Sequence, residues 1–322
     1  MIKTLAPLNI QPLSRGPGFR IPYPLTRALT APAFLFFPPS VLALRLTYPF
    51  CGWDEAVTRA HFRRTFKREI DLVNSVTFSE KISWLKLFDR RPIQKIMADK
   101  VTSHDFVRER GHGDILLERY GVWDSPEEVP LEDLPETFAL KASHGWKMNW
   151  FRMPGDPLPI REIRRTMRRW VRTDHSEWQY RDTRRRLLAE PLLRFPGGVE
   201  TEYRFCCFGG VPRFVQVRTD QYGRSQTASA HFDMDWRQLP FWRRGQRVIE
   251  NAQRPVQFDR MIEIAADLSA SEPFLRIDLN ELEGRIIFTE MTFRPYGGAF
   301  PIDPPEWDIR LGSWIDLPCV TV

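Results

Sequence analysis

The chain has 322 residues, of which 42% are hydrophobic, 13% aromatic and 27% charged, an ordinary globular composition with enough apolar material for a large core. Its length allows one large domain or two modest ones. Its formal charge of +6 indicates an anionic partner: a nucleotide, an acidic polysaccharide, a nucleic acid or an anionic lipid. The four cysteines include no Cys-x-x-Cys pair, which argues against a zinc site and fits a reduced cytosolic setting.

The first 69 residues are predicted to form an irregular, partly helical N-terminal arm packed on the body of the protein. Prolines are frequent there, and the apolar stretch 31–50 is broken by Pro32, Pro38 and Pro39. A membrane-spanning helix needs about 20 consecutive apolar residues, and no secretory signal pattern is present. Peripheral docking of the arm to the inner membrane face is the alternative interpretation.

Helical signals come next in the chain. A capping box of Thr77 and Glu80, followed by apolar residues at helical spacing, predicts a helix that ends at about Asp89. A second helical region is predicted from residue 92 towards 110. An extended segment is predicted at 115–122, before a loop.

Residues 138–150 are predicted to form a small hairpin. Lys141 ends its first strand, and the turn follows at His144 and Gly145. A lysine in this position can reach a phosphate as a point charge, and backbone N–H groups of the turn can cradle the same phosphate. The alternative is a surface hairpin with a solvated lysine.

The next element is a helix predicted over 160–171, with Pro159 suited to its first turn. Its apolar residues share one stripe, and arginines cover much of the remainder. Such a charge run is either a solvated face or an electrostatic landing surface for an acidic polymer. Few aromatic residues alternate with the arginines, so nucleic-acid binding is not expected. The arginines are Arg161, Arg164, Arg165, Arg168, Arg169 and Arg172.

Strands dominate the following part of the chain. Gly209 and Gly210 between two apolar runs are typical of a hairpin turn. The predicted strands are 187–193, 200–208, 211–218 and 227–232, and an amphipathic helix follows at 258–268. This order of elements predicts an α+β protein of two lobes with a cleft between them.

An acidic hairpin is predicted over residues 274–298. Because side chains alternate along a strand, Arg276 shares a face with Asp278, and Glu290 shares a face with Thr292. If Leu279 pairs with Arg285, both faces coincide, whereas a shift of one residue would separate them. Two carboxylates beside a guanidinium favour a hard cation such as Mg²⁺. A salt-bridged surface hairpin is the alternative.

Together these segments resemble the ATP-grasp family named after the teichuronopeptide biosynthesis protein TupA. The resemblance covers about residues 70–318. It implies an ATP-grasp fold with a small lobe at about 136–186, a large lobe at about 187–318 and the nucleotide in the cleft between them. The segments that carry it are Thr77 to Asp89, Ala98-Asp99-Lys100, Tyr120 to Asp124, Lys141-x-x-His144-Gly145, Ala189-Glu190, Tyr203 to Phe208, Arg276-x-Asp278, Glu290 to Phe293 and Leu311 to Trp314.

The resemblance also implies a nucleotide site. The residues assigned to it are Lys141 at the α/β-phosphates, His144 and Gly145 in the flap over them, Glu190 and Leu192 at the adenine hinge, and Glu202 near the ribose. Within the flap, Ser143 stands where the family often has Asn, and Trp146 and Lys147 stand where small residues are common.

The implied cofactors are ATP and Mg²⁺. Asp278, Glu290 and Thr292 would bind Mg²⁺, and Arg276 would lie near the γ-phosphate or the acyl-phosphate, with Arg276 and Lys141 as the catalytic residues. Thr292 stands where the family usually has Asn.

Members of this family are often labelled glycosyltransferases, but the residues of this sequence do not support that label. The implied activity is cytoplasmic ligation of a carboxylate to an amino group in cell-surface polysaccharide synthesis. The partners would be a small-molecule or polysaccharide carboxylate and an amino donor. Two alternatives are a kinase that phosphorylates a sugar hydroxyl and a non-catalytic protein that binds acidic glycans.

Overall fold

The computed structural model describes residues 53–174, 177–221, 224–250, 252–270 and 272–318. Most of the predicted N-terminal arm lies outside these ranges. The helices are α1 (Trp53–Phe66), α2 (Phe78–Phe88), α3 (Ile93–Ala98), α4 (Thr102–Glu109), α5 (Ile160–Arg172), α6 (Phe258–Ser269) and α7 (Glu306–Gly312). The strands are β1 (Gly121–Trp123), β2 (Phe138–Ala142), β3 (Asn149–Arg152), β4 (Leu187–Glu190), β5 (Val199–Phe208), β6 (Val211–Gln221), β7 (Arg224–Phe232), β8 (Trp242–Arg243), β9 (Arg247–Val248), β10 (Phe274–Leu282), β11 (Arg285–Thr292) and β12 (Ile302–Asp303).

The large sheet has the strand order β11-β10-β5-β6-β7-β9. Its neighbouring strands are antiparallel except β7 and β9, which are parallel. One face packs on α6, where Phe205, Leu275 and Ile277 join Met261 and Ile264 in a buried core. Because side chains alternate along each strand, the residues between these apolar positions point to the opposite face.

The small sheet has the order β1-β4-β2-β3, with every neighbouring pair antiparallel. Ile163, Met167 and Trp170 of α5 pack against Leu140 in its core. The predicted bounds of 136–186 for the small lobe omit β1 and β4, although both strands pair within this sheet. The chain leaves the sheet after β3, forms α5 and returns to insert β4 between β1 and β2.

The capping box at the start of α2 is confirmed. Thr77 Oγ1 accepts from Glu80 N at 3.2 Å, and Glu80 Oε2 accepts from Thr77 N at 3.1 Å. The helix ends at Phe88, one residue before the predicted limit. This cap satisfies backbone N–H groups that have no partner within the helix.

The second predicted helix is two shorter helices, α3 and α4. Asp99 lies at the break, and its Oδ1 accepts from Val101 N and Thr102 N, each at 3.0 Å. The side chain thus supplies a helix cap in the middle of the predicted helix and starts a new one. The predicted extended segment 115–122 is also shorter, because only its end enters the sheet, as β1.

Within the described residues, no helix combines the length and the apolarity needed to cross a lipid bilayer.

Candidate active site

The acidic hairpin of β10 and β11 turns more tightly than predicted. Leu282 pairs with Arg285 across a turn at Glu283 and Gly284, so the predicted pairing of Leu279 with Arg285 is wrong. Both turn residues have positive φ, 52° and 73°. This is the conformation of two-residue hairpin turns whose twist matches that of the strands.

An extra residue in β11 brings the predicted acidic side chains together. An unbroken ladder from the turn would place Glu290 opposite Ile277, which lies in the apolar core. The ladder shifts between Asp278 and Leu279, so Glu290 lies opposite Asp278 and Thr289 is the additional residue. Thr289 Oγ1 donates to the Asp278 carbonyl oxygen at 2.9 Å. The bulge therefore moves Glu290 to the polar face of the sheet.

Arg276 is the common partner of this cluster. Its Nε and Nη2 donate to the two carboxylate oxygens of Asp278 at 2.7 and 2.5 Å. Nη2 also contacts Glu290 Oε1 at 3.2 Å and Thr292 Oγ1 at 3.0 Å. The two predicted residue pairs thus share one face and are joined through a single guanidinium, which is nearly fully buried.

The oxygen donors of the hairpin fit a hard divalent cation. Asp278 Oδ2 and Glu290 Oε1 both lie against Arg276 Nη2, at 2.5 and 3.2 Å, and like charges held this close favour a shared proton or cation. No group of three His, Cys, Asp or Glu side chains suited to a metal occurs in the described part of the chain. The hairpin offers two carboxylates, Asp278 and Glu290, and one hydroxyl, Thr292. These groups would hold Mg²⁺ with water or phosphate oxygens as its remaining ligands, which this ion commonly keeps.

The two carboxyl groups differ in their protonation. Burial raises the pKa of Asp278 to about 7, although Arg276 opposes this shift. Burial also acts to raise the pKa of Glu290, but Arg276 and then Lys100 outweigh it and hold this pKa below its ordinary value. The pKa values of the two carboxyl groups are therefore shifted in opposite directions, upwards for Asp278 and downwards for Glu290.

Glu202 lies beside the hairpin on β5. Its Oε2 accepts from Arg204 Nε at 2.6 Å, and Arg204 Nε is also 3.7 Å from Asp278 Oδ2. Arg204 lies directly opposite Asp278 across the β5–β10 ladder. Glu202 was predicted as a site residue and Arg204 was not, although alternation along β5 places both side chains on the same face.

Lys141 projects from β2, and its ammonium forms an ion pair with Glu190 at the end of β4. Burial opposes the charge on Lys141, but Glu190 outweighs this effect and raises the pKa of the lysine. Glu290 also acts to raise this pKa, so Lys141 lies near the acidic hairpin. Leu192 follows Glu190 closely, and the two residues are buried, 9% and 7% exposed.

The turn after β2 is anchored by Lys100, which was not among the predicted site residues. Lys100 Nζ donates to the Gly145 carbonyl oxygen, and Lys100 N donates to the Ser143 carbonyl oxygen, both at 2.7 Å. Burial lowers the pKa of Lys100, with Glu290 and Lys141 as its principal charged neighbours. Its place in the Ala98-Asp99-Lys100 segment, one of those that carry the family resemblance, is the signal for it in the sequence. The structure makes it a second cation beside the acidic hairpin.

His144 and Gly145 occupy this turn. His144 is 1% exposed, and burial lowers its pKa to about 4, so its imidazole is neutral at pH 7. Gly145 has φ of 72°, in the left-handed region that glycine enters without strain. The exposed side chains of Trp146 and Lys147 follow at the tip.

The small antiparallel sheet and the large mixed sheet thus bring Lys141 and Lys100 near the carboxyl groups of the acidic hairpin. This arrangement, α+β with a large and a small sheet, defines a protein of the ATP-grasp class. The profile of TupA-like ATP-grasp proteins matches residues 80–316, and the chain belongs to this family.

The solved structures that match this chain share little of its sequence. The D-alanine–D-alanine ligase of Helicobacter pylori is 13% identical with a TM-score of 0.40, over 74% of this chain and 69% of the ligase. The D-cycloserine synthetase DcsG is 13% identical with a TM-score of 0.41, over 73% and 78% of the two chains. The ligase PsnB is 11% identical with a TM-score of 0.39, and the match spans 66% of this chain and 60% of PsnB. No curated protein shows significant similarity to this sequence.

Proposed function

We propose that this protein is an ATP-dependent ligase that joins a carboxylate to an amine in cell-surface polysaccharide synthesis, with a uronic acid or an amino acid as substrate. The observation that carries the proposal is the meeting of Asp278 and Glu290 on Arg276, opposite Lys141. Phosphoryl transfer requires both kinds of group, because a metal held by carboxylates and cationic side chains must act on the same polyphosphate.

The nucleotide would occupy the cleft between the two sheets. Lys141 and Lys100 are placed to neutralise its phosphates, and Glu190 with Leu192 would border the adenine. Glu202 would lie near the ribose. The ion pair of Lys141 with Glu190 implies that phosphate competes with this carboxylate for the lysine.

The chemistry follows from the weak electrophilicity of a carboxylate. Transfer of the γ-phosphate to the substrate carboxylate gives an acyl-phosphate, and attack by the amine then expels phosphate and forms the amide. Arg276 would stabilise the charge on the transferring group. Bound Mg²⁺ would supply further charge neutralisation between phosphates. The turn at His144 and Gly145 would exclude water from the acyl-phosphate.

Trapping with hydroxylamine tests the proposal. Mg²⁺-ATP and a panel of uronic and amino acids should give a hydroxamate, with ADP and phosphate formed together only when a carboxylate is present. Asp278→Asn and Glu290→Gln should each abolish trapping, because each removes a charge at nearly constant size. Glu283→Gln is the matched control, since Glu283 lies exposed in the turn of the same hairpin.

Two outcomes would reject the ligase, and a third would reject the assigned metal site. ADP without free phosphate, together with a stable phosphosugar, would indicate a kinase on the same scaffold. Absence of nucleotide binding by calorimetry would indicate a non-catalytic glycan-binding protein. Full activity in both hairpin variants would place the metal site elsewhere.

A further inference from the structure

The outward face of α5 is a row of arginines that the proposed reaction does not use. Six arginines and one glutamate give this helix of 13 residues a formal charge of +5. Arg161, Arg165, Arg169 and Arg172 are exposed. In the ranges that the structure describes, none of these four side chains forms an ion pair or a hydrogen bond.

The remaining arginines of α5 are already engaged. Arg168 Nη2 lies 2.7 Å from Glu127 Oε1. Arg164 donates to the carbonyl oxygens of Pro126 and Val129. These contacts fasten the helix to the loop before β2. Within the described residues, Glu127 is therefore engaged by Arg168, and Glu162 of α5 is not paired with any of the four exposed arginines.

The four exposed arginines form one straight row. With 3.6 residues per turn, their positions fall within about 80° of the helix circumference and extend over about 17 Å. The opposite side of α5 is buried through Ile163, Met167 and Trp170. The charged row is therefore a convex ridge on the outside of the small lobe, away from the sheet face that bears Lys141.

We infer that this ridge docks the small lobe on an anionic lipid surface. A ridge contacts a flat layer of phosphate groups along its whole length, whereas a single acidic polymer chain is better held by a groove. The guanidinium fork binds phosphate in a bidentate manner. Because the apolar side of α5 is buried in the lobe, the helix cannot insert into the bilayer, and the attraction is electrostatic.

Sedimentation with lipid vesicles tests this inference on the full chain. The protein should bind phosphatidylglycerol vesicles at low salt and not phosphatidylcholine vesicles. The variant Arg161→Gln/Arg165→Gln/Arg169→Gln/Arg172→Gln should bind at least about a hundredfold more weakly, since each basic residue near an anionic surface contributes about fivefold. High salt should release the wild-type protein, because screening shortens the range of the attraction.

A matched control removes the same net charge elsewhere. Arg63, Arg108, Arg184 and Arg237 are exposed and each already pairs with a carboxylate. The variant with all four changed to glutamine should retain most of the vesicle binding. Unchanged melting temperatures would show that both variants fold.

Three results would overturn the inference. Equal losses in the two variants would indicate a general effect of net charge. Retention of vesicle binding by the α5 variant would place the membrane contact elsewhere. Binding of soluble polyglucuronate but not of vesicles would identify the ridge as a polysaccharide site. Hydroxamate trapping needs no vesicles, so this test and that of the ligase fail independently.

Discussion

Arg276 is the residue on which the geometry of the acidic hairpin depends. It contacts both oxygens of Asp278 while its own side chain is only 7% exposed, and the side chain of Asp278 is fully buried. Removing one partner of such a pair leaves a charge in the interior, which costs far more than the intact pair contributes.

We expect Arg276→Met to lower the free energy of unfolding by about 3 to 5 kcal/mol at pH 7. Urea denaturation measures the change. Arg244→Met is the matched control, because Arg244 pairs with Asp303 while its side chain is 60% exposed, and it should change the stability by no more than about 1 kcal/mol. Similar losses in the two variants would contradict the central position of Arg276.

Lys141 is the proposed phosphate ligand of the small lobe. Lys141→Met keeps the apolar stem and removes the charge, so we expect ATP affinity to fall by about tenfold or more, the contribution of a charge-assisted hydrogen bond. Titration calorimetry measures this affinity. Lys67→Met, at an exposed position directly after α1, should bind ATP as the wild type does. Unchanged affinity in Lys141→Met would return Lys141 to a structural role.

Among the secondary-structure elements, α2 and α7 are joined by a buried acid. Asp308 of α7 accepts from Ser79 N at 2.9 Å and from Ser79 Oγ at 3.1 Å, at the first turn of α2. Burial raises the pKa of Asp308 from 3.8 to about 6, although the bonds from Ser79 oppose the shift. The folded state therefore favours the protonated form of this side chain.

This shift predicts how stability depends on pH. The stabilisation linked to protonated Asp308 is fully present below the unfolded pKa of 3.8 and is lost as the pH rises through the folded pKa of about 6. Asp308→Asn keeps an acceptor for Ser79 and should flatten the profile across this interval, raising stability at pH 7 by about 1 to 3 kcal/mol. Urea denaturation across this pH range measures both stability profiles. Parallel profiles for the wild type and Asp308→Asn would refute the assignment.

At the scale of the whole molecule, the two sheets contribute different halves of the proposed nucleotide site. A ligand that binds only the folded protein stabilises it by about 2.7 kcal/mol at a hundredfold excess over Kd. We therefore expect Mg²⁺-ATP to raise the melting temperature, and GTP to raise it less, in a thermal-shift measurement. No shift with any nucleotide, verified by calorimetry, would reject the enzyme.

The sequence by itself determined the features that depend on neighbouring residues. The capping box of Thr77 and Glu80 and the amphipathic stripes of α5 and α6 act over one or a few helical turns, so their patterns are legible in a short window. The same holds for the strand that presents Lys141 before a glycine turn. Alternation along the chain also predicted the acidic hairpin and its polar face, and the family resemblance added the roles of its residues.

Only the tertiary structure decided which of these features meet. The register of the acidic hairpin depends on a bulge at Thr289, whose hydroxyl donates to the Asp278 carbonyl oxygen. The alternation of polar and apolar residues does not show where such a bulge lies. The place of β4 between β1 and β2, and the contacts of Lys100 and Arg204, join residues far apart in the chain. Such contacts are selected by the packing of the whole core, because their energies depend on partners, burial and charge that no local pattern contains.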